Sequence, residues 1–367
     1  MVISLYFHLP FCTKKCDYCH FFVLPDQENN KLLLLNGLRK EWELLKCREE
    51  VATIYFGGGT PSLFGPERIA EILSWIPFSD AEVTLEVNPE TVTKEVMAQY
   101  KAAGINRISL GIQSFSDRQL KILSRTHDAE QAIRAIDMTH AVGFDNITID
   151  LMYDLPHQTL SEWEETLSHL SQLPITHLSL YNLTIEPHTV FFKHRERLTP
   201  HLPQQDVSRQ MLLMARDHLC ALGFTHYEIS AFAKPCYPSR HNSGYWTGRP
   251  FWGLGPSASS FMNGIRSRNV AHLGRYLRSL EAGTLPIEST DPLPFEARRR
   301  ELLTLNLRLL EGVHLPTFEA TWGPLSQQTH QTLNALRDKG WLHLYDERIA
   351  LTEAGLLFHD SIAIELI

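Results

Sequence analysis

The chain of 367 residues is long enough for a barrel-sized domain with a smaller second one. Its 43% hydrophobic and 21% charged residues are ordinary for a globular protein, and its net charge of −8 argues against general nucleic-acid binding. No apolar run approaches the roughly 20 residues that span a bilayer, and Met1–His8 lacks the basic start of a signal peptide. We therefore expect a cytoplasmic protein whose cysteines serve metal or redox chemistry rather than disulfides.

Short β-rich runs alternate with helical segments over residues 1–236. The predicted strands are Val2–His8, Thr53–Phe56, Glu82–Val87, Arg107–Gly111, Asn146–Leu151 and His177–Tyr181. The predicted helices are Asn29–Lys46, Pro66–Trp75, Thr93–Ala103, Asp128–Ala141 and Ser161–Ser171. This α/β alternation is typical of a parallel sheet covered by helices, and it predicts a partial (β/α)6 barrel of the TIM type, short of the eight units of a complete barrel.

The predicted helix boundaries carry recognisable end signals. Glycine followed by an apolar residue predicts a left-handed helix end at Gly104, Gly143 and Gly223. Capping boxes are predicted where Ser116 precedes Gln119 and where Ser161 precedes Glu164.

The remaining chain divides into two parts by composition. Residues 237–294 are enriched in Gly, Pro, Ser, Asn and aromatic residues, which predicts an irregular connecting region. Residues 295–367 return to a helical pattern, and a helix at Leu333–Gly340 followed by strands at Trp341–Leu344 and Ile349–Leu351 resembles a winged-helix module. Such a module could bind DNA or serve as a packing or interaction domain, and the acidic charge favours the second interpretation.

Three cysteines, Cys12, Cys16 and Cys19, lie in one short loop directly after the first strand. Thiolates are the usual ligands of iron–sulfur clusters, and three can hold a 4Fe–4S cubane with one iron open to S-adenosylmethionine. Zinc is the alternative, with His20 as a fourth ligand, but His20 directly follows Cys19 and would be awkwardly placed. The other cysteines, Cys47, Cys220 and Cys236, have no evident partners and are predicted to be plain buried thiols.

The cysteine spacing, with an aromatic residue before the third cysteine, resembles the radical S-adenosylmethionine superfamily. Four segments, Tyr6–Cys12, Phe56–Ser62, Gly111–Phe115 and Leu180–Pro187, narrow the likeness. They resemble the family that holds oxygen-independent coproporphyrinogen III oxidase and the heme chaperone HemW, and the likeness extends over nearly the whole chain.

The resemblance implies a set of cofactor-binding residues near the carboxyl ends of the strands. In this chain they are Tyr6, Gly58, Gly59, Thr60, Glu86, Gln113, Arg125 and Asp150. The glycine turn would contact the amino group of S-adenosylmethionine, and Arg125 its carboxylate, which a guanidinium fork suits well. Glu86 ends a strand, where a carboxylate can accept hydrogen bonds from ribose hydroxyls.

Two features favour the chaperone branch within this family. Phe21 stands where the oxidases carry a fourth cysteine, and the chain starts almost at the motif, without the oxidases' longer N-terminal extension. The run His241-Asn-Ser-Gly-Tyr245-Trp246 matches an HNxxYW pattern associated with haem binding; an imidazole can ligate iron and aromatic rings can pack on the macrocycle. Arg240 could pair with a haem propionate.

The resemblance therefore implies a haem chaperone that delivers haem to acceptor proteins, with a flavodoxin-type electron donor, respiratory acceptors and possible peripheral membrane contact. The alternative is an oxidase of porphyrin biosynthesis that decarboxylates coproporphyrinogen III. A third is an interaction role of the C-terminal module. His20, where aspartate is common, and Asp154 and His157, where glycines are usual, depart from the family pattern.

Overall fold

The computed structural model describes residues 1–367. The strands are β1 Val2–Leu9, β2 Phe11–Cys12, β3 Leu24–Pro25, β4 Glu50–Gly58, β5 Glu82–Val87, β6 Arg107–Gln113, β7 Ile147–Tyr153, β8 His177–Asn182, β9 Thr225–Glu228, β10 Ala231–Ala233, β11 Phe251–Leu254, β12 Ser259–Met262, β13 Ile265–Asn269, β14 Ile287–Pro292, β15 Val313–His314, β16 Leu342–Tyr345 and β17 Arg348–Leu351.

The α-helices are α1 Glu28–Leu45, α2 Pro66–Ser74, α3 Lys94–Ala103, α4 Asp117–Ile122, α5 Ala129–Ala141, α6 Leu160–Ser168, α7 Val190–Lys193, α8 Arg195–Leu198, α9 Gln205–Ala221, α10 Arg240–Trp246, α11 Leu273–Glu281, α12 Phe295–Asn306, α13 Leu315–Trp322, α14 Gln327–Asp338, α15 Glu353–Leu357 and α16 His359–Leu366. Short 3-10 helices occur at Pro61–Phe64, Pro89–Thr91, His169–Gln172 and Thr199–His201. No helix is both long and apolar enough to cross a membrane.

Six parallel strands form the centre of a sheet of twelve. The strand order is β14-β13-β12-β11-β1-β4-β5-β6-β7-β8-β10-β9. Strands β1 and β4 to β8 pair in parallel with one another, whereas β8 pairs antiparallel with β10 on its other side. They correspond to the six predicted strands. Their residues are largely buried because helices and loops cover the sheet, as in other parallel sheets. The predicted α/β fold is confirmed, and the parallel strands align their carboxyl ends at one edge.

One long helix was predicted only by the glycine that ends it, Gly223, and not by its range. Helix α9 follows β8 and buries Met211, Leu212, Ala215 and Leu219 against the main core. These positions have helical spacing, so the signal was present beyond the last predicted strand.

The helix ends were predicted in part. Gly104, Gly143 and Gly223 do adopt left-handed conformations, with φ of 106°, 92° and 82°. The predicted capping box at Ser161 is wrong, because α6 begins two residues earlier.

In α6 the side chain of Thr159 accepts from the Glu162 backbone N–H, and the Glu162 side chain accepts from the Thr159 backbone N–H. Ser116 is at the N-cap of α4, but its side chain makes no capping hydrogen bond. Both predicted boxes were therefore matches of residue type without the hydrogen bonds.

The predicted irregular region 237–294 is instead regular and belongs to the main sheet. Strand β11 pairs in parallel with β1, and β12, β13 and β14 extend the sheet by antiparallel pairing. Its Gly, Ser and Asn residues lie in strands and helices as well as in turns, for example Gly253 in β11 and Ser259 in β12, and local composition does not reveal a pairing with β1 from the other end of the chain.

A buried carboxylate fastens this extension to α1. Glu41 accepts hydrogen bonds from the Gly255 N–H at 2.8 Å, the Tyr276 hydroxyl at 2.6 Å and the Asn269 amide at 2.6 Å. One turn earlier, Gly37 lies against Tyr276, where a Cβ would come within 2.8 Å of the ring. Helices α1 and α11 therefore pack closely, with the carboxylate at their contact.

The C-terminal segment has its own core. Thirteen buried hydrophobic residues between Leu302 and Leu366 form a cluster separate from the main one. The predicted helix and hairpin correspond to α14, β16 and β17, and β15 joins the hairpin as a third strand. Arg216 contacts Glu353 at 2.9 Å and Arg308 contacts Glu228 at 3.7 Å across the boundary with the barrel.

We predict that Glu41 makes the protein less stable as pH rises. Burial raises the pKa of Glu41 to about 7, so between about pH 4.5 and 7 the unfolded chain loses this proton while the folded chain keeps it. Glu41→Gln should remove a fall of roughly 2–3 kcal/mol in unfolding free energy between pH 5 and pH 8, measured by urea denaturation. It should also lower stability at pH 5 by about 1–3 kcal/mol, because an amide N–H faces donors.

The exposed Glu43 on the same helix is the matched control, since Glu43→Gln should leave the pH dependence unchanged. An identical pH dependence in Glu41→Gln and the unaltered protein would contradict the assignment.

Candidate functional site

The carboxyl ends of the parallel strands open into a cavity of about 420 Å³, which we call the cysteine cavity. All three loop cysteines line it. So do seven of the eight residues that the resemblance implied for S-adenosylmethionine, namely Gly58, Gly59, Thr60, Glu86, Gln113, Arg125 and Asp150. The eighth, Tyr6, faces a neighbouring cavity.

The cysteine loop is fixed at both ends. Strand β2 pairs with β3, which brings Cys12 beside Pro25. The N–H of Cys19 donates to the carbonyl of Cys16 at 3.1 Å, and the N–H of Asp17 donates to the Ser124 hydroxyl at 2.9 Å. The loop is therefore tied to the segment that carries Arg125.

Two polar side chains approach the sulfurs. The Thr60 hydroxyl is 3.7 Å from Cys12 Sγ, and Arg125 Nη1 is 3.6 Å from Cys16 Sγ. Burial raises the pKa of Cys12 to about 11 and also raises the pKa of Cys19. Burial thus favours the neutral thiols of Cys12 and Cys19, and a bound cationic centre would stabilise the thiolates that are able to ligate it.

The arrangement of the donors distinguishes the two metals considered for this loop. A structural zinc site takes four ligands, and His20, which could be the fourth, directly follows Cys19. Three thiols in one loop suit a cubane that leaves one iron open. The donor set fits the cluster.

The glycine turn after β4 touches the loop through its backbone. Gly59 N–H donates to Leu9 O at 3.0 Å and Thr60 N–H to Phe11 O at 2.7 Å. A Cβ on Gly59 would lie 2.6 Å from Phe11 O, and Gly58 has a φ of 122°. Position 59 therefore requires glycine because of the close backbone approach, and position 58 favours glycine because of its positive φ.

Two carboxylates lie at the floor of the cysteine cavity. Glu86 accepts from the Tyr55 hydroxyl at 2.9 Å and from the Gly58 N–H at 3.1 Å. Burial, with a smaller effect of the nearby Asp150, raises the pKa of Glu86 to about 7, and burial raises the pKa of Asp150 to about 6. These raised values mean that each group would gain from a ligand that donates hydrogen bonds.

Arg125 is held as a cation in the wall. Its Nη2 donates to Asn88 Oδ1 at 2.9 Å and to Gly111 O at 2.8 Å, while its buried Nε has no partner. Gln113 is the last residue of β6, has a φ of 69° and lines the same cavity as Arg125. The guanidinium therefore offers a fixed positive charge to an anionic ligand.

A second and larger cavity, of about 680 Å³, was not foreseen from the sequence. It lies between the end of β1, the cysteine loop, strands β11 to β14 and helix α12, and we call it the aromatic cavity. Tyr6, Phe21, Phe22, Tyr245, Phe251 and Phe261 line it. His20 and Phe21 line both cavities and so form a shared wall. The sequence signal was the aromatic enrichment of residues 237–294.

His241 of the HNxxYW run is buried and does not line the aromatic cavity; it contacts Tyr245, which does. Thr53 Oγ1 donates to Ser4 and lies 2.8 Å from His241 Nδ1, so Nδ1 carries the proton. Nε2 therefore accepts from the Tyr245 hydroxyl, at 2.8 Å. Burial lowers the pKa of His241 to about 3. Both ring nitrogens are thus engaged within the protein.

The side chains beside His241 in this run have different surroundings. Tyr245 lines the aromatic cavity, but the Trp246 ring is covered by the Arg308 guanidinium at 4.3 Å and does not line it. The Arg240 side chain donates to Asp80 O at 3.1 Å, also away from the cavity. The structure does not bring Arg240, His241, Tyr245 and Trp246 together around one ligand space.

The departures from the family pattern keep the backbone that glycine would adopt. Asp154 and His157 both have positive φ, of 61° and 59°. Asp154 accepts hydrogen bonds from Asn182 and Ser208, and the His157 ring stacks on His201 at 4.0 Å. These contacts offset the strain of the left-handed conformation.

The prediction for the remaining cysteines is wrong for two of them. Cys220 and Cys236 are exposed, and Cys47 is half-buried. Cys220 is at the end of α9, away from the face that packs on the core, and Cys236 occupies a turn with a φ of 73°. A cysteine without a partner in the sequence gives no local signal of burial.

The comparisons agree with this geometry. Residues 6–170 match the model of the Radical SAM superfamily and residues 293–358 that of the HemN C-terminal domain. Coproporphyrinogen III oxidase (HemN) from Escherichia coli, a radical SAM enzyme, shares the fold with a TM-score of 0.86 at 23% identity, over 99% of this chain and 89% of that one. The fold and the cysteine loop thus show that the chain is a radical S-adenosylmethionine protein. Membership of this class implies a 4Fe–4S cluster and S-adenosylmethionine as cofactors.

Two relatives that match over almost their full length show to which family within this class the chain belongs. Heme chaperone HemW of Escherichia coli is 35% identical over 98% of this chain and 97% of its own length. Heme chaperone HemW of Bacillus subtilis is 32% identical over the same shares. The chain belongs to the HemW family.

We predict that His241 stabilises the fold. His241→Ala should leave the Thr53 and Tyr245 hydroxyls without their partner and create a cavity, at a cost of about 2–4 kcal/mol in unfolding free energy. His241→Gln, which can keep one hydrogen bond, should cost less. Thermal and urea unfolding measure both.

The matched control is the exposed His343, whose replacement by Ala should change stability by less than about 0.5 kcal/mol. Equal stability of His241→Ala and the unaltered protein would show that the buried network contributes nothing.

Proposed function

We propose that this protein is a haem chaperone that holds a 4Fe–4S cluster through Cys12, Cys16 and Cys19, binds S-adenosylmethionine beside it, and delivers haem to acceptor proteins. The observation that carries the cofactor part is the single cavity that contains the three thiols and seven of the expected residues. The chaperone part is supported by relatives named for that activity along the full length of the chain.

The polar groups of the cysteine cavity suit the parts of S-adenosylmethionine. Arg125, held by Asn88 and Gly111, would pair with the carboxylate. Glu86 and Asp150, whose pKa values burial raises, would accept from ribose hydroxyls or the amino group. Gly58, Gly59, Thr60 and Gln113 would add backbone and side-chain contacts, while Tyr6 would act from the neighbouring cavity.

Cys12, Cys16 and Cys19 would hold the cluster, which would supply, once reduced, one electron for cleavage of the sulfonium carbon–sulfur bond of S-adenosylmethionine. The chain's own contribution is to bury the thiols, to keep a cation at Cys16 through Arg125 and to orient Glu86 through Tyr55 and Gly58. A flavodoxin-type protein is the proposed donor, and haem proteins of the respiratory chain are the proposed acceptors.

The chaperone is preferred to the oxidase because Phe21 occupies the position of the oxidases' fourth cysteine. Phe21 is 53% exposed and lies in the wall between the two cavities, so this position offers an apolar surface instead of a thiol. The fold likeness to the Escherichia coli oxidase does not separate the two activities.

Substitutions should separate the cluster from S-adenosylmethionine. Cys16→Ala should abolish most of the visible cluster absorbance after anaerobic reconstitution, because one of three ligands is lost. Glu86→Ala should keep the absorbance and weaken S-adenosylmethionine binding roughly tenfold, about 1.4 kcal/mol, in calorimetric titration.

Cys220→Ala, at an exposed position outside the cavity, is the matched control and should change neither property. The cofactor assignment is wrong if Cys16→Ala keeps a normal cluster or if Glu86→Ala and Cys220→Ala bind S-adenosylmethionine equally well.

The chaperone assignment is tested on one anaerobic preparation in two assays. The protein should bind haem and transfer it to an apo-haem protein, and it should not convert coproporphyrinogen III to protoporphyrinogen IX with reductant and S-adenosylmethionine. Turnover of coproporphyrinogen without haem binding would establish the oxidase instead.

A further inference from the structure

The aromatic cavity has the walls of a site for a large flat ligand. Phe21 and Phe22 form its side towards the cysteine loop, Phe251 and Phe261 come from the sheet extension, and Leu302 comes from α12. Its volume of about 680 Å³ is within the range of small-molecule sites, roughly 300–1,000 Å³. The aromatic rings offer apolar contact to the faces of a planar macrocycle.

Three arginines line the cavity, and two of them, Arg249 and Arg268, have no carboxylate partner. The third, Arg266, is paired with Asp291 and Glu301 and is therefore neutralised within the wall. Arg268 makes its hydrogen bond to the Ser257 hydroxyl at 2.9 Å.

Arg249 donates to Arg240 O at 3.1 Å and to the Ser4 hydroxyl at 3.4 Å. Neither Arg249 nor Arg268 forms an ion pair. An apolar cavity with two unpaired guanidinium groups suits an apolar ligand with two carboxylates.

The histidines around the cavity differ in what their rings already bind. The two nitrogens of His8 are within 2.9 Å of the Tyr6 hydroxyl and 3.1 Å of Phe22 O, and those of His241 bind Thr53 and Tyr245. His20 is exposed, lines the cavity and has no hydrogen-bond partner; its ring lies 4.7 Å from that of Phe21. Only the His20 imidazole is free to ligate a metal.

We propose that the aromatic cavity is the haem site of this protein, with His20 as an axial ligand of the iron and Arg249 and Arg268 as partners of the two propionates. The inference rests on the proposed haem binding and says where it occurs. His241 then acts as a positioning residue that orients the Tyr245 hydroxyl below the cavity.

The site also places haem next to the cluster. His20 follows Cys19 directly and forms, with Phe21, the wall between the two cavities. Haem in the aromatic cavity would therefore contact the loop that carries the cluster ligands.

Two ligands and three variants test the assignment in the anaerobically reconstituted full-length protein. Ferric haem reports both iron ligation and macrocycle binding, whereas iron-free protoporphyrin IX reports macrocycle binding alone. His20→Ala should shift the Soret band and weaken haem roughly tenfold or more, while leaving protoporphyrin IX affinity unchanged. Arg249→Gln and Arg268→Gln should each weaken both ligands roughly tenfold.

His343→Ala and Arg275→Gln, at exposed positions outside the cavity lining, are the controls, and all variants are compared at equal cluster absorbance. If His20→Ala disturbs the cluster, His20→Gln takes its place.

The outcomes separate the two levels of the proposal. An unaltered protein that takes up no haem would contradict the proposed function itself. Haem uptake with an unchanged spectrum in the His20 variant would overturn the axial ligand, and unchanged affinities in both arginine variants would overturn the cavity assignment. Loss of haem ligation in the His20 variant with retained protoporphyrin IX binding supports the proposal.

Discussion

The backbone contact between the cysteine loop and Gly59 is the constraint on which the site depends. The chain leaves β1 at Leu9 and passes so close to the glycine turn that a Cβ on Gly59 would overlap Phe11 O. This contact sets the direction of the loop, and the pairing of β2 with β3 then holds Cys12. The same turn donates to Glu86 through Gly58. Cluster ligands and the polar floor of the cavity are therefore positioned by one stretch of backbone.

Much of this arrangement could be predicted from the sequence because its signals are local. Each parallel strand is a short β-rich run, and each places its last residues at the same edge of the sheet. The resemblance to the radical S-adenosylmethionine superfamily then implied that Glu86 and Asp150 share a site with the cysteines. The extension formed by β11 to β14 could not be predicted in this way. Its strands have four to six residues each, and its link to the barrel is the pairing of β11 with β1 across almost the whole length of the domain.

His241 shows a second limit of prediction from sequence. The HNxxYW pattern marked the residue, but its environment comes from Thr53, 188 residues earlier, which takes up Nδ1 and so directs Nε2 towards Tyr245. A motif identifies residues that belong together along the chain without showing which of them reach a common space. Here the residues that do share a space with Tyr245 come from the cysteine loop, the sheet extension and α12.

The carboxylate of Glu41 has a consequence for how small a functional piece of this protein can be. Its three donors, at Gly255, Asn269 and Tyr276, all come from the segment after the barrel. In a fragment ending near residue 236, the Glu41 carboxyl group of α1 would have lost its three hydrogen-bond donors. One edge of β1 would also be unpaired, because its neighbour β11 would be missing. Such a fragment would invite intermolecular strand addition at the exposed edge. The smallest autonomous unit of this fold accordingly runs at least to Tyr276, well past the last strand of the barrel.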